Sequence, residues 1–238
     1  MKLIKNILDK ILGTNTLYYP GCFTKKLLPD VQERYEKILD QLGIEYIKLA
    51  DKEFCCGSPV VRAGEKKAFE NIKQKNIEIF KSYSIGRIIT NCPACYSMFQ
   101  EEYNLSEQNI EVKHMTQILA NSDMDTDVWK NQQRVYHDPC HLGRLSWIYD
   151  EPRKVLTQAG YNIKEFDKNK EKSSCCGWWG WLTNNNPELA NKISQNLLNE
   201  LNEGETLSSP CPMCYYQFKK NAKNVNIEEL SQSLLSDR

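Results

Sequence analysis

Cys92-Pro93-Ala94-Cys95-Tyr96 returns 119 positions later as Cys211-Pro212-Met213-Cys214-Tyr215. Working outward, Cys55-Cys56-Gly57 returns as Cys175-Cys176-Gly177 at an offset of 120, and Cys22 as Cys140 at an offset of 118. The ten cysteines fall into two sets of five with none left over. A period of that length with matching context marks an internal duplication, and any fold must accommodate it before a single motif is interpreted.

The flanking pattern repeats as well. Tyr19-Pro20-Gly21 leads into Cys22 where His137-Asp138-Pro139 leads into Cys140. β-prone runs at 16–19 and 134–137 precede these cysteines. Helical patterns follow, with Val31, Tyr35, Ile38, Leu39 and Leu42 on one face in the first half and residues 152–159 in the second, each stopped by a glycine, Gly43 or Gly160. Strands are expected next at 44–49 and 161–166, then long helices at 64–82 and 187–201, then strands at 87–90 and 206–208 that run into the Cys-Pro-x-Cys turns. Strands alternating with helices predict an α/β fold of two pseudo-symmetric repeats, 13–120 and 134–238, each a small, mostly parallel sheet with flanking helices. The cysteines then follow the carboxyl ends of strands, where open α/β sheets gather ligands. The polar stretch 121–133 is the expected linker. Residues 1–12 set Leu3, Ile4, Ile7, Leu8, Ile11 and Leu12 against Lys2, Lys5 and Lys10, an amphipathic helix expected to pack on the domain, with docking to a partner or a membrane surface as the alternative.

Composition narrows the function classes. Lys plus Arg and Asp plus Glu both number 31, so no net charge steers the chain to nucleic acid. No apolar run approaches the roughly 18 residues of a membrane span, and no secretory signal core is present. The cytoplasm is the expected compartment, with attachment to a membrane periphery through a partner as a variant. In that reducing setting ten cysteines point to metal binding or redox chemistry before structural disulfides.

The donor set carries the chemistry. Cys-Pro-x-Cys brings two sulfurs to one centre, and proline suits a first helical turn whose free N–H groups favour anionic sulfur. Structural zinc takes four ligands, commonly as two Cys-x-x-Cys pairs. Here each half offers one such pair, one adjacent pair and one distant cysteine, so iron–sulfur fits better, with zinc in one repeat as the alternative. The candidate ligands are Cys22, Cys55, Cys56, Cys92 and Cys95, and Cys140, Cys175, Cys176, Cys211 and Cys214.

With the spacing Cys-x32-Cys-Cys-Gly-x34-Cys-Pro-x-Cys and its near copy, the chain resembles the cysteine-rich repeat of the catalytic subunit of heterodisulfide reductases. The same repeat occurs in subunits of anaerobic glycerol-3-phosphate dehydrogenases, in lactate-utilisation proteins and in other iron–sulfur oxidoreductases. The resemblance implies two iron–sulfur clusters of the 4Fe-4S type, noncubane in heterodisulfide reductases, each held by all five cysteines of a repeat. It implies a small disulfide or thiol substrate. Many relatives add a ferredoxin-like segment that this sequence lacks, which implies a ferredoxin-type iron–sulfur subunit or a flavoprotein as electron donor. A non-catalytic electron-transfer subunit and a zinc-stabilised scaffold are the alternatives.

Disulfide reduction consumes protons, and His137 and His141 bracket Cys140 as candidate donors, with hydrogen bonding to cluster sulfur or loop backbone as the plainer role. Trp178, Trp179 and Trp181 around Gly180 depart from the small residues usual after the second glycine and suggest core, water exclusion or a substrate wall. Ser58, Pro59 and Val60 follow the first glycine, so the two sites are expected to be inequivalent. Arg62 and Arg144 lie near the motifs, as anion contacts or as solvated and capping arginines.

Overall fold

A computed structural model describes residues 14–49, 52–122, 132–178 and 180–235. The expected helix at 1–12, Trp179 and most of the expected linker lie outside the described residues. The first repeat runs β1 (Asn15–Tyr18), α1 (Cys22–Leu27), α2 (Pro29–Gln41), α3 (Ser58–Arg62), α4 (Lys66–Ser82), β2 (Ile85–Thr90), α5 (Pro93–Glu101), β3 (Glu111–His114) and α6 (Met115–Leu119). The second runs β4 (Gln133–Tyr136), α7 (Asp150–Gln158), β5 (Asn162–Glu165), α8 (Leu182–Asn185), α9 (Pro187–Leu198), β6 (Thr206–Ser209), α10 (Pro212–Asn221), β7 (Asn226–Glu229) and α11 (Leu230–Leu234).

The strands form two sheets, β1-β2-β3 and β5-β4-β6-β7, and every pairing is parallel. β1 corresponds to β4, β2 to β6 and β3 to β7, so the duplication read from the cysteines is a duplication of the sheet. The strand expected at 44–49 is not formed. Only Ile47 pairs, with Leu17, through Tyr18 N to Ile47 O at 3.0 Å and Ile47 N to Thr16 O at 2.8 Å. β5 is the full strand at that edge in the second sheet. At a sheet edge one residue's pair of hydrogen bonds satisfies the neighbour's backbone, and β-prone composition alone does not extend the ladder.

Two further strands, β3 and β7, were not anticipated, nor was the short helix α3. β3 and β7 each end in a helix cap with a capping box, His114 with Gln117 and Glu229 with Gln232. The N-caps His114 and Glu229 are not the Ser or Thr of the usual capping box, so only Gln117 and Gln232 hint at these helix starts, and neither marks the strand before it.

Each repeat has its own core, and a third core lies between them. Tyr35, Ile38 and Leu39 from α2, Met115 and Leu119 from α6, Val155 and Leu156 from α7, and Leu230 from α11 share that middle cluster. The packing is reciprocal: α11 lies on α2, and α6 lies on α7, the same contact seen from each half. Burying each such leucine or isoleucine contributes about 1.5–3 kcal/mol. Tyr35 donates to Glu229 at 2.7 Å and Arg34 to Ser231 at 3.1 Å, tying α2 across the boundary. Leu142 and Ile148, which follow Cys140, pack into the first repeat's core. The second repeat's first cysteine loop therefore rests on the first repeat. Among the described residues no helix is long and apolar enough to cross a membrane.

Candidate metal centres

The five cysteines of each set meet at the carboxyl edge of one sheet. In the first repeat Cys22 opens α1, Cys55 and Cys56 lead into α3, Cys92 caps α5 with Pro93 at its first position, and Cys95 lies in its first turn. In the second, Cys140 follows β4, Cys175 and Cys176 precede Gly177, Cys211 caps α10 with Pro212 at its first position, and Cys214 lies in its first turn. Cys22 Sγ donates to Cys55 Sγ at 3.9 Å, and Cys214 Sγ to Cys176 Sγ at 3.2 Å. All ten are free thiols.

These contacts shift the thiols in opposite directions. The bond from Cys22 holds the Cys55 thiol down at about 3, helped by Cys56 and by the Gly57 N–H, which lies 3.4 Å from Cys55 Sγ. Cys92 is lowered by its bond with Cys95 and by the N–H groups of Cys95 and Ala94, the free donors of the α5 terminus. Cys22, Cys56 and Cys95 are raised, first by their sulfur neighbours. Cys140, Cys176 and Cys214 are raised in the same way in the second set. Like charges packed together resist joint ionisation, and a cation that replaces the shared protons relieves that.

The backbone is shaped around the sulfurs. Gly57 and Gly177 stand at φ +84° and +93°, and the Gly177 N–H repeats the contact to Cys175 Sγ at 3.4 Å. A Cβ on Gly21 would lie 2.9 Å from Cys95 Sγ, so the chain passes against the thiols where a side chain has no room. The sulfurs touch one another, and among the described residues no group of three or more His, Cys, Asp or Glu side chains is arranged to hold a metal ion as it stands. The structure thus supports the convergence of the donors. Five thiols facing helix N-termini and backbone N–H groups fit a sulfide-bridged iron cluster in kind, since thiolates are the ligands of such clusters.

Around the ligands the two sets differ. Tyr19 and His137 occupy matching positions and bond the carbonyl just before each cysteine pair: Tyr19 Oη donates to Phe54 O at 2.5 Å, and His137 Nε2 to Ser174 O at 3.1 Å. Burial lowers the His137 pKa, keeping the ring neutral. His141 Nδ1 lies 3.4 Å from Cys140 Sγ, and burial, then Arg62, pushes its pKa down to about 4. Arg144 donates to Ser173 O at 2.5 Å, and Arg62 lies in the last turn of α3. Trp178 closes a triangle with Phe23 and Tyr216, ring centroids 5.0 to 5.6 Å apart, between the two sets. Trp181 is 44% exposed and donates Nε1 to Pro59 O at 3.3 Å, bridging the repeats.

Three supports escaped the sequence reading. Asn76 donates to Cys55 O at 3.0 Å and to Tyr103 Oη at 2.9 Å, and Tyr103 in turn donates to Cys56 O at 3.0 Å. Asn76 stood out only as an amide on the face of α4 that carries Phe69, Ile77 and Phe80. Asp138, the third, is 3% exposed.

Fold and donor set together define a duplicated parallel α/β protein that gathers five thiols at the carboxyl edge of each sheet. The chain belongs to the CCG cysteine-rich domain family, which matches residues 16–100 and again 134–219. It is 29% identical over 213 residues to a subunit of the dihydromethanophenazine:CoB--CoM heterodisulfide reductase of Methanosarcina acetivorans, covering 84% of this chain and 52% of that one. It is 30% identical over 229 residues to the EtfAB:quinone oxidoreductase of Syntrophomonas wolfei, covering 90% and 32%. Identity to a subunit of the fumarate reductase (CoM/CoB) of Methanothermobacter marburgensis is 29% over 238 residues, covering 94% and 47%. The chain therefore spans between about a third and about half of the length of these relatives. Among solved structures, glutamate racemase from Campylobacter jejuni overlays on 92% of this chain and 81% of its own at 9% identity, with a TM-score of 0.41.

Proposed function

We propose that the chain is an iron–sulfur redox subunit, one 4Fe-4S cluster, noncubane in form, being held by each five-thiol group, and that it reduces a small disulfide. The observation that supports this best is the duplicated convergence of five thiols, one more donor than a structural zinc site takes and of the kind that holds iron–sulfur clusters. Bound clusters would supply the two electrons that, with two protons, convert one disulfide to two thiols.

The chain's own groups do the rest. The N-termini of α5 and α10 and the N–H groups of Gly57 and Gly177 hold anionic sulfur. Phe23, Trp178 and Tyr216 exclude water between the sites. His141 is the group placed to relay a proton to sulfur at the second site: its ring is held neutral, so it releases a proton at one ring nitrogen only as it takes one up at the other. His137 serves that site by anchoring the carbonyl of Ser174. Electrons come from a ferredoxin-type iron–sulfur subunit or a flavoprotein, in the cytoplasm. Repeats at 13–120 and 134–238 joined by 121–133 are the organisation that goes with this reading.

A second reading is favoured by the relative named for a quinone rather than for a disulfide: an electron-transfer subunit without its own substrate. Iron, acid-labile sulfide and zinc per chain test the centres, and zinc without iron overturns the proposal. Anaerobic reduction of a mixed disulfide by the chemically reduced protein separates the two readings, since a pure relay leaves the disulfide intact.

A further inference from the structure

We propose that Asp138 locks the second five-thiol site, so that the two sites are inequivalent: the second keeps its metal longer, and the first, open at Cys22, gives up its metal first. This rests on the iron–sulfur reading only for the first of the two tests below.

Asp138 lies two positions before Cys140, and its carboxylate is nearly fully buried. Arg153 from α7 grips it with two bonds of 2.8 Å, Nη1 to Oδ1 and Nη2 to Oδ2. The same guanidinium is held by Glu165 at 2.7 and 2.8 Å, by Tyr149 O at 2.7 Å, and lies 4.6 Å over the Tyr136 ring. A buried ion pair is often no more than structural. Here its other partners all lie on the segment that runs into Cys175. Lys170 N donates to Asp138 Oδ2 at 2.8 Å, and Ser173 Oγ donates to Asp138 O at 3.1 Å. Arg144, four positions past Cys140, holds Ser173 O. Asp138 thus ties the loop of Cys140 to the loop of Cys175 and Cys176 twice, through its carboxylate to Lys170 N and through its main-chain carbonyl to Ser173.

In the first repeat Pro20 stands where Asp138 stands, with no side-chain acceptor to offer. The contacts described between its two loops are Tyr19 to Phe54 O, the thiol contact Cys22 to Cys55, and the charge of Lys25 acting on Glu53. Cys22 is exposed, whereas Cys140 is half-buried behind His141. Outer-shell groups that orient ligands change metal affinity by about 10- to 100-fold when removed.

Iron release from the holoprotein to a strong chelator, under anaerobic conditions, provides the first test. Wild type is expected to release iron in two phases of equal amplitude. Asp138→Asn should speed the slow phase by about 10- to 100-fold and leave the fast phase unchanged, with the electron paramagnetic resonance signal of one cluster altered and the other kept. Asp138→Glu should restore part of the slow phase. A single phase in wild type, an unchanged slow phase in Asp138→Asn, or equal acceleration of both phases overturns the inference, the last because general loosening of the fold moves both sites. The second test needs no iron: alkylation of the metal-free chain by iodoacetamide, mapped by mass. Asp138→Asn should raise labelling of Cys140 and Cys175 and leave Cys22 and Cys55 as in wild type, and a uniform change or none overturns the lock. A protein free of iron overturns the proposed function instead, and the alkylation result still decides this one.

Discussion

Substitution of Gly177 by alanine should destabilise the protein more than the equivalent change at Gly57, although both glycines follow a cysteine pair at a left-handed φ. Placing an alanine in that region costs about 1–2 kcal/mol by itself. At Gly177 the new Cβ would sit 2.3 Å from the carbonyl oxygen of Ala190, a backbone atom of α9. That oxygen cannot swing aside without moving the helix, so an overpacking cost of about 1–3 kcal/mol is added. The sum is about 2–5 kcal/mol for Gly177→Ala. At Gly57 the Cβ would meet the ring edge of Phe69 at 2.6 and 2.9 Å. A ring can shift, and Phe69→Leu should relieve part of the Gly57→Ala cost, visible as a coupling of about 0.5–3 kcal/mol in a double-mutant cycle. Urea unfolding under anaerobic, reducing conditions, read as midpoint shifts at constant slope, measures each term. A cost below about 1 kcal/mol for Gly177→Ala, or one no larger than that of Gly57→Ala, would mean that the Ala190 carbonyl is not the obstacle.

Other expectations concern single groups. Burial pushes the His114 pKa from 6.5 down to about 3, so the unfolded chain binds the extra proton between those values. Stability from this group is therefore full above pH 6.5 and falls by about 1.4 kcal/mol per unit as pH drops toward 3. His114→Asn keeps an N-cap acceptor, and its denaturation midpoints should vary less steeply than wild type between pH 4 and 6.5. In the metal-free chain, brief alkylation at pH 6 should label Cys55 before Cys22, Cys56 and Cys95, because Cys55 is held down as thiolate whereas the other three thiols are raised. Equal labelling of all four would contradict that order. Tyr19→Phe leaves Phe54 O without its described donor and should cost about 1–3 kcal/mol by urea unfolding. A cost near zero would mean that water serves the carbonyl equally well.

The sequence by itself determined the duplication, the two recurring sets of five cysteines and the parallel α/β class. These properties are local: spacing fixes which cysteines recur, proline at a first helical turn fixes how Cys92 and Cys211 are presented, and alternating strand and helix periods fix the layering. It overstated the strand at 44–49, where only Ile47 pairs, and missed β3 and β7, whose short runs sit next to polar caps rather than in long β-prone segments.

Only the tertiary structure decided how the halves meet and how the sites differ. The reciprocal packing of α11 on α2 and α6 on α7 brings together residues far apart in sequence, a pairing no periodicity encodes. The same holds for Asn76 and Tyr103 beneath Cys55 and Cys56, and for Arg153 and Lys170 on Asp138. Which side chains could serve as donors is a property of side-chain chemistry and is legible in the chain. The environment of a ligand is set by contacts between segments, and those exist only once the two cores and the one between them have packed.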